Sequence, residues 1–173
     1  MEQLLPALDT PHRFIVSLYS YKDLAVKKTI HAIKYHHRRD LIPSFATRIA
    51  DEIPASYIHT SIIIPIPMPS YRKYLRGYNQ AELLAKEIAH ITHLPMYTHI
   101  LTRKKAPRRQ VITRSRRERL QNQHGTFIVQ QPLKGQSVIL IDDVTTTGAT
   151  LYTAREELLK SGASEVLAFT IAH

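Results

Sequence analysis

Cysteine is absent from the 173-residue sequence, and no long apolar segment occurs in it. Without cysteine the chain can form no disulfide framework, no thiolate zinc site and no cysteine nucleophile, which fits a reducing compartment. No apolar run approaches the length of about eighteen residues that a membrane span needs. Residues 1–6 also lack the basic segment and the long apolar core of a signal peptide. We therefore expect a cytoplasmic protein with no membrane span.

Acidic residues are scarce as well: 14 Asp and Glu stand against 24 Lys and Arg, which gives a formal net charge of +10. A surplus of this size predicts a polyanionic partner, either nucleic acid or a highly phosphorylated substrate. The charge alone does not choose between these two classes. Hydrophobic content of 43% and charged content of 22% are ordinary globular values. The length suits a single domain over residues 1–173.

Segments with strand character alternate along the chain with segments of helical periodicity. Strands are predicted at 14–19, 61–64, 126–129, 138–141 and 166–171, with a further short one within 95–101. Helices are predicted at 22–35, 43–53, 79–92 and 151–161, after an N-terminal extension over 1–13. The side chains expected to face inward are Leu24, Ile30 and Ile33 in the first helix and Leu83, Leu84, Ile88 and Ile91 in the third. The alternation predicts a three-layer α/β/α fold around a mostly parallel sheet.

The most informative stretch is 138–150. Four apolar residues after the Gly135 turn predict a buried strand of a parallel sheet. Asp142 and Asp143 follow at its carboxyl end, where open α/β sheets place their ligands. Hydroxyls and backbone N–H groups then lead into a helix, a combination that commonly holds phosphate. Two acids that accept hydrogen bonds from vicinal hydroxyls beside a phosphate cradle suit a ribose 5-phosphate, whereas an ordinary strand–turn–helix would not explain this spacing.

This run contains neither the Gly-Lys-Ser/Thr of a Walker loop nor a Gly-x-Gly-x-x-Gly motif. At all thirteen positions it resembles the phosphoribosyl pyrophosphate (PRPP) signature of the type I phosphoribosyltransferases. The resemblance implies that Asp142 and Asp143 are the catalytic acids, which engage the ribose hydroxyls directly or through Mg²⁺. It implies that the 5-phosphate is held by Thr145, Thr146, Thr147, Gly148, Ala149 and Thr150.

A proline-rich loop, 65–69, follows the second predicted strand, and Arg72, Lys73 and Arg76 fall within or just after it. Pro65-Ile66-Pro67 with Arg76-Gly77-Tyr78-Asn79-Gln80-Ala81 resembles the ComF (competence protein F) family, with Ile for Val and Tyr for Phe. The resemblance implies that Arg72, Lys73 and Arg76 bind pyrophosphate, for which an Arg fork offers bidentate contacts. The alternative is that Gly77 makes a turn, Asn79 caps a helix and the arginines are solvated.

Residues 103–119 hold nine Lys and Arg against one acid, Glu118. The resemblance implies that 102–125 is a flexible hood that closes over PRPP. The family's motif falls on Arg103, Gln110, Arg119 and Asn122, ahead of Phe127, and Lys104 belongs to the same basic start. Two alternatives remain open for this segment: a nucleic-acid contact surface that grips phosphates, or a solvated charged loop.

Lys34 lies in a further stretch that resembles the family, and its side chain could face the cleft. The neighbouring His36 and His37 have no third ligand at a metal-site spacing, so we interpret them as surface or capping residues. Full-length members of the ComF family usually begin with a cysteine-rich zinc module, which the cysteine-free sequence lacks. The resemblance covers residues 14–173.

Taken together, the sequence predicts a protein that binds Mg²⁺-PRPP and transfers phosphoribosyl to an unidentified acceptor, with a role in competence and DNA uptake. Two rival interpretations remain: a protein that binds single-stranded DNA, in contact with a helicase, and a regulator that senses PRPP without turnover. A homodimer is open as well, since dimers are common in this fold.

Overall fold

The computed structural model describes residues 12–104 and 126–173. Its central sheet has four strands in the order β1-β6-β5-β2, and every neighbouring pair is parallel. The strands are β1 (Ile15–Tyr19), β2 (Ser61–Pro65), β5 (Ser137–Val144) and β6 (Val166–Ala172). A two-stranded antiparallel sheet is formed by β3 (Leu101–Arg103) and β4 (Phe127–Val129). The predicted hood residues Gln110, Arg119 and Asn122 lie outside the described residues.

Five helices accompany the strands in the described ranges 12–104 and 126–173. They are α1 (Leu24–Tyr35), α2 (Ile42–Glu52), α3 (Ser70–Arg76), α4 (Gln80–Thr92) and α5 (Ala149–Lys160), and short 3₁₀ turns lie at Arg39–Leu41 and Ala55–Tyr57. The Asp23 carboxylate begins α1 by accepting from the N–H groups of Ala25 and Val26, and Asn79 caps α4 through Ala81. Within the described residues no helix is long and apolar enough to cross a membrane.

Two hydrophobic cores cover the two faces of the sheet. On one face the buried side chains come from α1, α2 and α4 and meet Ile139, Ile141 and Phe169. On the other face α5 and the small sheet supply Leu151, Leu158 and Phe127, which share a core with Leu140 and Ala168. Alternating residues of β5 therefore enter opposite cores, as the period of a strand requires. The predicted three-layer architecture with a parallel sheet is confirmed.

Several local predictions need correction. Leu24, expected to face inward, is 70% exposed because it lies nine residues before Ile33, half a turn out of phase at about 100° per residue. Ile91 is 41% exposed, since it lies in the last turn of α4. The short strand predicted within 95–101 is reduced to one bridge between Met96 and Ile63, and pairing resumes only at β3.

Candidate functional site

The cleft at the carboxyl ends of β2 and β5 has a volume of about 260 Å³. Its lining comes from the loop after β2, the end of β5, and side chains of α1, α3, α4, β3 and α5. The lining residues are Lys34, Ile66, Pro67, Met68, Pro69, Arg72, Arg76, Asn79, Gln80, Arg103, Asp142, Asp143, Val144 and Thr150. A parallel sheet gathers its ligand-binding loops at this edge, so residues that are 116 positions apart in sequence (Lys34 and Thr150) share one cleft.

Asp142 and Asp143 belong to β5, which continues through them because Val144 still pairs with Ala172. Successive strand residues point to opposite faces. Asp143 lies on the α1 side, where its Oδ2 is 2.8 Å from the Nζ of Lys34. Asp142 lies on the α5 side, beside Thr170 in the register of the sheet. The two carboxylates therefore reach the cleft from different sides of the strand.

The electrostatic surroundings of the two acids differ accordingly. Burial, followed by the charge of Asp143, raises the pKa of Asp142 to about 8. The Asp143 backbone N–H, which donates to Asp142 Oδ1 at 2.8 Å, and the more distant Lys34 oppose this rise in pKa. The carboxylate of Asp143 instead forms an ion pair with Lys34 and accepts a hydrogen bond from the Val144 N–H at 2.8 Å.

The threonine loop between β5 and α5 is held by contacts of its first residue. Thr145 is buried, donates its N–H to the Ala172 carbonyl at 3.0 Å and accepts from the Gly148 N–H at 3.1 Å. Thr146 and Thr147 are exposed, and within the described residues no protein acceptor takes their backbone N–H groups. The loop thus presents free donors and hydroxyls at the start of a helix, the chemistry that binds phosphate.

Gly148 makes this loop possible. Its φ of +73° is a left-handed conformation, and a Cβ there would lie 2.5 Å from His12 Cδ2 and 2.9 Å from Ile15 Cδ1. Glycine is therefore required both by backbone conformation and by space. Ala149 follows as the first residue of α5, with its N–H 3.4 Å from the Thr147 hydroxyl, and Thr150 lines the cleft.

Three arginines face the two carboxylates. Arg72 and Arg76 come from α3, and Arg103 from β3 donates its Nε–H to the Pro67 carbonyl at 2.8 Å. Burial lowers the pKa of Arg103, which the charge of Asp142 partly offsets, but a guanidinium remains protonated in proteins. The other two predicted cations lie elsewhere: Lys73 pairs with Glu82 at 3.1 Å, and Lys104 is exposed outside the cleft lining.

The sequence interpretation missed α3 and one contact that depends on it. The helix α3 begins directly after Pro69, and none of its seven residues is buried, so no hydrophobic period marks it. The Tyr35 hydroxyl accepts from Arg76 Nη2 at 3.0 Å, a contact between residues 41 positions apart. Sequence offered only a weak signal here, the Gly77 that ends α3 with a φ of +76°.

A resident metal site formed by protein groups alone is not found in the described residues, where no three His, Asp, Glu or Cys side chains cluster at metal-binding distance. Magnesium usually takes one or two carboxylates and completes its shell with water and substrate phosphates. Asp142 and Asp143 are the carboxylates of the cleft lining. This donor set fits an Mg²⁺ ion that arrives with a phosphorylated ligand.

No family model matches the sequence, but comparison with individual proteins finds relatives. Competence protein ComFC of Bacillus subtilis is 31% identical over 157 residues, covering 90% of this chain and 62% of that protein. DNA utilization protein YhgH of Salmonella typhi is 28% identical over 163 residues, covering 90% and 70%. Competence protein F of Haemophilus influenzae is 33% identical over 112 residues, covering 64% and 49%. The chain thus spans about half to about 70% of the length of these relatives.

Solved structures give the fold. Glutamine PRPP amidotransferase from B. subtilis matches 76% of this chain and 26% of its own chain, with a TM-score of 0.53 and 18% identity. A structure of the allosteric regulatory enzyme of purine biosynthesis matches 76% of this chain and 25% of its own, with a TM-score of 0.50 and 18% identity. At this identity the similarity shows the architecture, that of the type I phosphoribosyltransferases, and leaves the ligand to be argued from the site.

Proposed function

The chain is a homologue of the ComF competence proteins with a type I phosphoribosyltransferase fold, and from that premise we propose that it binds Mg²⁺-PRPP in the cleft between β2 and β5. The observation that carries the proposal is the charge arrangement of the cleft. Two carboxylates face three arginines, Arg72, Arg76 and Arg103, and within the described residues none of these arginines forms an ion pair. Unneutralised guanidinium groups in a cleft favour a ligand that carries several negative charges.

Each part of PRPP has a matching group. The threonine loop offers free N–H donors and hydroxyls to the 5-phosphate, with Thr145 and Gly148 holding its shape. Asp142 and Asp143 would accept hydrogen bonds from the two ribose hydroxyls, or hold a magnesium ion that supplies positive charge to the pyrophosphate when bound. Arg72, Arg76 and Arg103 would bind the pyrophosphate, whereas Lys73 and Lys104 lie outside the cleft lining.

For transfer, the C1–O bond to pyrophosphate breaks as an acceptor attacks the ribose carbon, and the leaving group takes the electron pair. The arginines stabilise the charge that develops on pyrophosphate, and the loop and acids keep the ribose in place. No protein nucleophile is required. The acceptor is not identified by any group of the cleft, so the proposed activity is that of a phosphoribosyltransferase with an acceptor of unknown class.

Calorimetric titration of PRPP, with and without Mg²⁺, tests the binding. We expect micromolar, Mg²⁺-dependent affinity for the wild type and no measurable binding for Asp142→Asn combined with Asp143→Asn, because the replaced groups face the ribose. Asp51→Asn, an exposed carboxylate change on α2, is the matched control. Unchanged affinity in the folded double variant would refute the assigned site. If PRPP binds as expected, pyrophosphate release on addition of amines or nucleobases would distinguish a transferase from a PRPP sensor.

A second candidate function, binding of single-stranded DNA, is favoured by the surface of α3. This short helix exposes Tyr71, Tyr74 and Leu75, and it carries Arg72 and Lys73 between them. Exposed aromatic rings interleaved with cations are what stack bases and grip phosphates in sequence-independent binding. Because Arg72 and Arg76 also line the cleft, a DNA strand bound to α3 would pass along the rim of the cleft.

A further inference from the structure

Arg76 differs from the two lysines near the cleft, Lys34 and Lys73, in the kind of partners that hold it. Lys34 is paired with Asp143 and Lys73 with Glu82, so both of these charges are neutralised by carboxylates. Arg76 donates from Nη1 to Gln80 Oε1 at 3.2 Å and from Nη2 to the Tyr35 hydroxyl at 3.0 Å. Its guanidinium also lies 4.9 Å from the centre of the Tyr35 ring. All of these partners are neutral.

Gln80 is fixed in the orientation that this contact needs. The side chain is only 2% exposed, at the first position of α4 beside the Asn79 cap. Its oxygen must face Arg76, since a guanidinium only donates. The amide nitrogen, Nε2, is buried and has no hydrogen-bond partner in the described part of the chain. A buried amide nitrogen whose two N–H groups have no acceptor is unfavourable for the fold alone, which favours a role for Gln80 at the cleft that it lines.

We propose that Tyr35 and Gln80 form a neutral clamp that orients Arg76 and leaves its charge available to the pyrophosphate group. Both are positioning residues: they act through Arg76. A carboxylate in either place would hold the guanidinium as firmly but would neutralise it, and a phosphate ligand would then gain little from it. The inference rests on the proposed function, because it assigns the clamp to the pyrophosphate end of the same ligand.

Variants of Tyr35 and Gln80 alter the two groups that accept hydrogen bonds from Arg76. Tyr35→Phe keeps the ring and removes the hydroxyl that accepts from Arg76. We expect affinity for PRPP and for free pyrophosphate to fall about five- to tenfold, the net effect of losing one hydrogen bond, while affinity for ribose 5-phosphate stays within twofold. Gln80→Glu keeps the accepting oxygen but adds a compensating charge, and we expect the same selective loss. Tyr97→Phe, a tyrosine outside the cleft lining, should bind all three ligands like the wild type.

The clamp is tested by calorimetry of the three ligands in Mg²⁺ buffer. The folding of each variant is checked by circular dichroism. A selective loss for the pyrophosphate-containing ligands supports the clamp. Tyr35→Phe affinity within twofold of wild type, or an equal loss for ribose 5-phosphate, would overturn the clamp and leave the proposed function standing. Wild-type protein that binds none of the ligands would overturn the proposed function, and the clamp with it. Since Tyr35 is exposed, its variant tests the idea even if Gln80→Glu does not fold.

Discussion

Two neighbouring aspartates in this cleft have different surroundings because a strand, and not a loop, carries them. The pleat sends Asp143 to Lys34 on one side and Asp142 to the side of α5 on the other. Asp143 forms an ion pair with Lys34 at 2.8 Å, whereas burial beside a like charge raises the pKa of Asp142. Mg²⁺ or hydroxyl donors brought by a ligand would therefore stabilise the charged form of Asp142.

The titration of Asp142 gives a prediction for the ligand-free protein. Its pKa is raised to about 8 in the folded state, while an unfolded aspartate titrates near about 3.9. Between these values the folded state keeps a proton that the unfolded state releases, so this group's contribution to stability is lost as pH rises from about 4 to about 8. Asp142→Asn abolishes the effect. We expect the variant's unfolding free energy, relative to wild type, to increase by at least about 1 kcal/mol from about pH 5 to pH 8.5.

Urea unfolding in magnesium-free buffer at the two pH values measures this difference. Asp51→Asn, which changes an exposed carboxylate, should show a constant difference from wild type across the same range. If Asp142→Asn also runs parallel to wild type, Asp142 is ionised in the folded protein at both pH values and its surroundings stabilise the charge.

At the scale of elements, what could be predicted from the sequence depended on burial. The continuous apolar runs at β2 and β5 and the inward residues of α4 marked their elements because the sheet covers them. The helix α3 could not be predicted, since all its residues remain outside the two cores. The end of β5 was placed too early, at 141, because two acids are poor strand residues and only pairing with β6 extends the strand through Val144.

The loop between β5 and α5 provides a prediction with a matched control. Gly148→Ala places a side chain in a left-handed conformation, which costs about 1–2 kcal/mol, and pushes it against His12 and Ile15. Gly135→Ala imposes the same backbone strain at a φ of +82°, with open space around the new methyl group. We expect both variants to lose stability in thermal unfolding, Gly148→Ala more. Only Gly148→Ala should lose PRPP affinity, by at least about tenfold, as its loop shifts.

Equal PRPP affinity in Gly148→Ala and wild type would show that the threonine loop does not hold the 5-phosphate. Loss of affinity in both glycine variants would point instead to a general effect of reduced stability. The comparison works because Gly135 lies at the opposite end of β5, outside the cleft lining.

At the scale of the whole molecule, the topology decides which residues meet. The order β1-β6-β5-β2 puts the last strand between the first and the signature strand, and the crossovers carry α1, α3 and α4 to the edge where β5 ends. Motifs at Arg76 and Asp142 could be found in the sequence, because each is a local pattern. Lys34 lines the cleft that its motif predicted it could face. Its pairing with Asp143 and the contact of Tyr35 with Arg76 could not be predicted, since they join distant segments.

The net charge of +10 is a property of the molecule as a whole, and it makes the second candidate function testable. If α3 binds single-stranded DNA, the logarithm of the association constant should fall linearly with the logarithm of the salt concentration. We expect a slope of about −2 or steeper, since each phosphate contact contributes about −0.7. Tyr74, which is 89% exposed on α3, would stack on a base. We expect Tyr74→Ala to weaken oligothymidine binding about five- to hundredfold at every salt concentration, without changing the slope or the affinity for PRPP.

Fluorescence anisotropy at several salt concentrations separates the two contributions, since stacking does not release counterions and phosphate contacts do. Tyr97→Ala, a less exposed tyrosine away from α3, is the control and should bind like wild type. If the salt slope is steep but Tyr74→Ala binds DNA as tightly as wild type, the general positive charge attracts DNA and α3 is not its binding surface. Loss of PRPP affinity in Tyr74→Ala would mean instead that α3 as a whole supports the cleft, because Tyr74 itself does not line it.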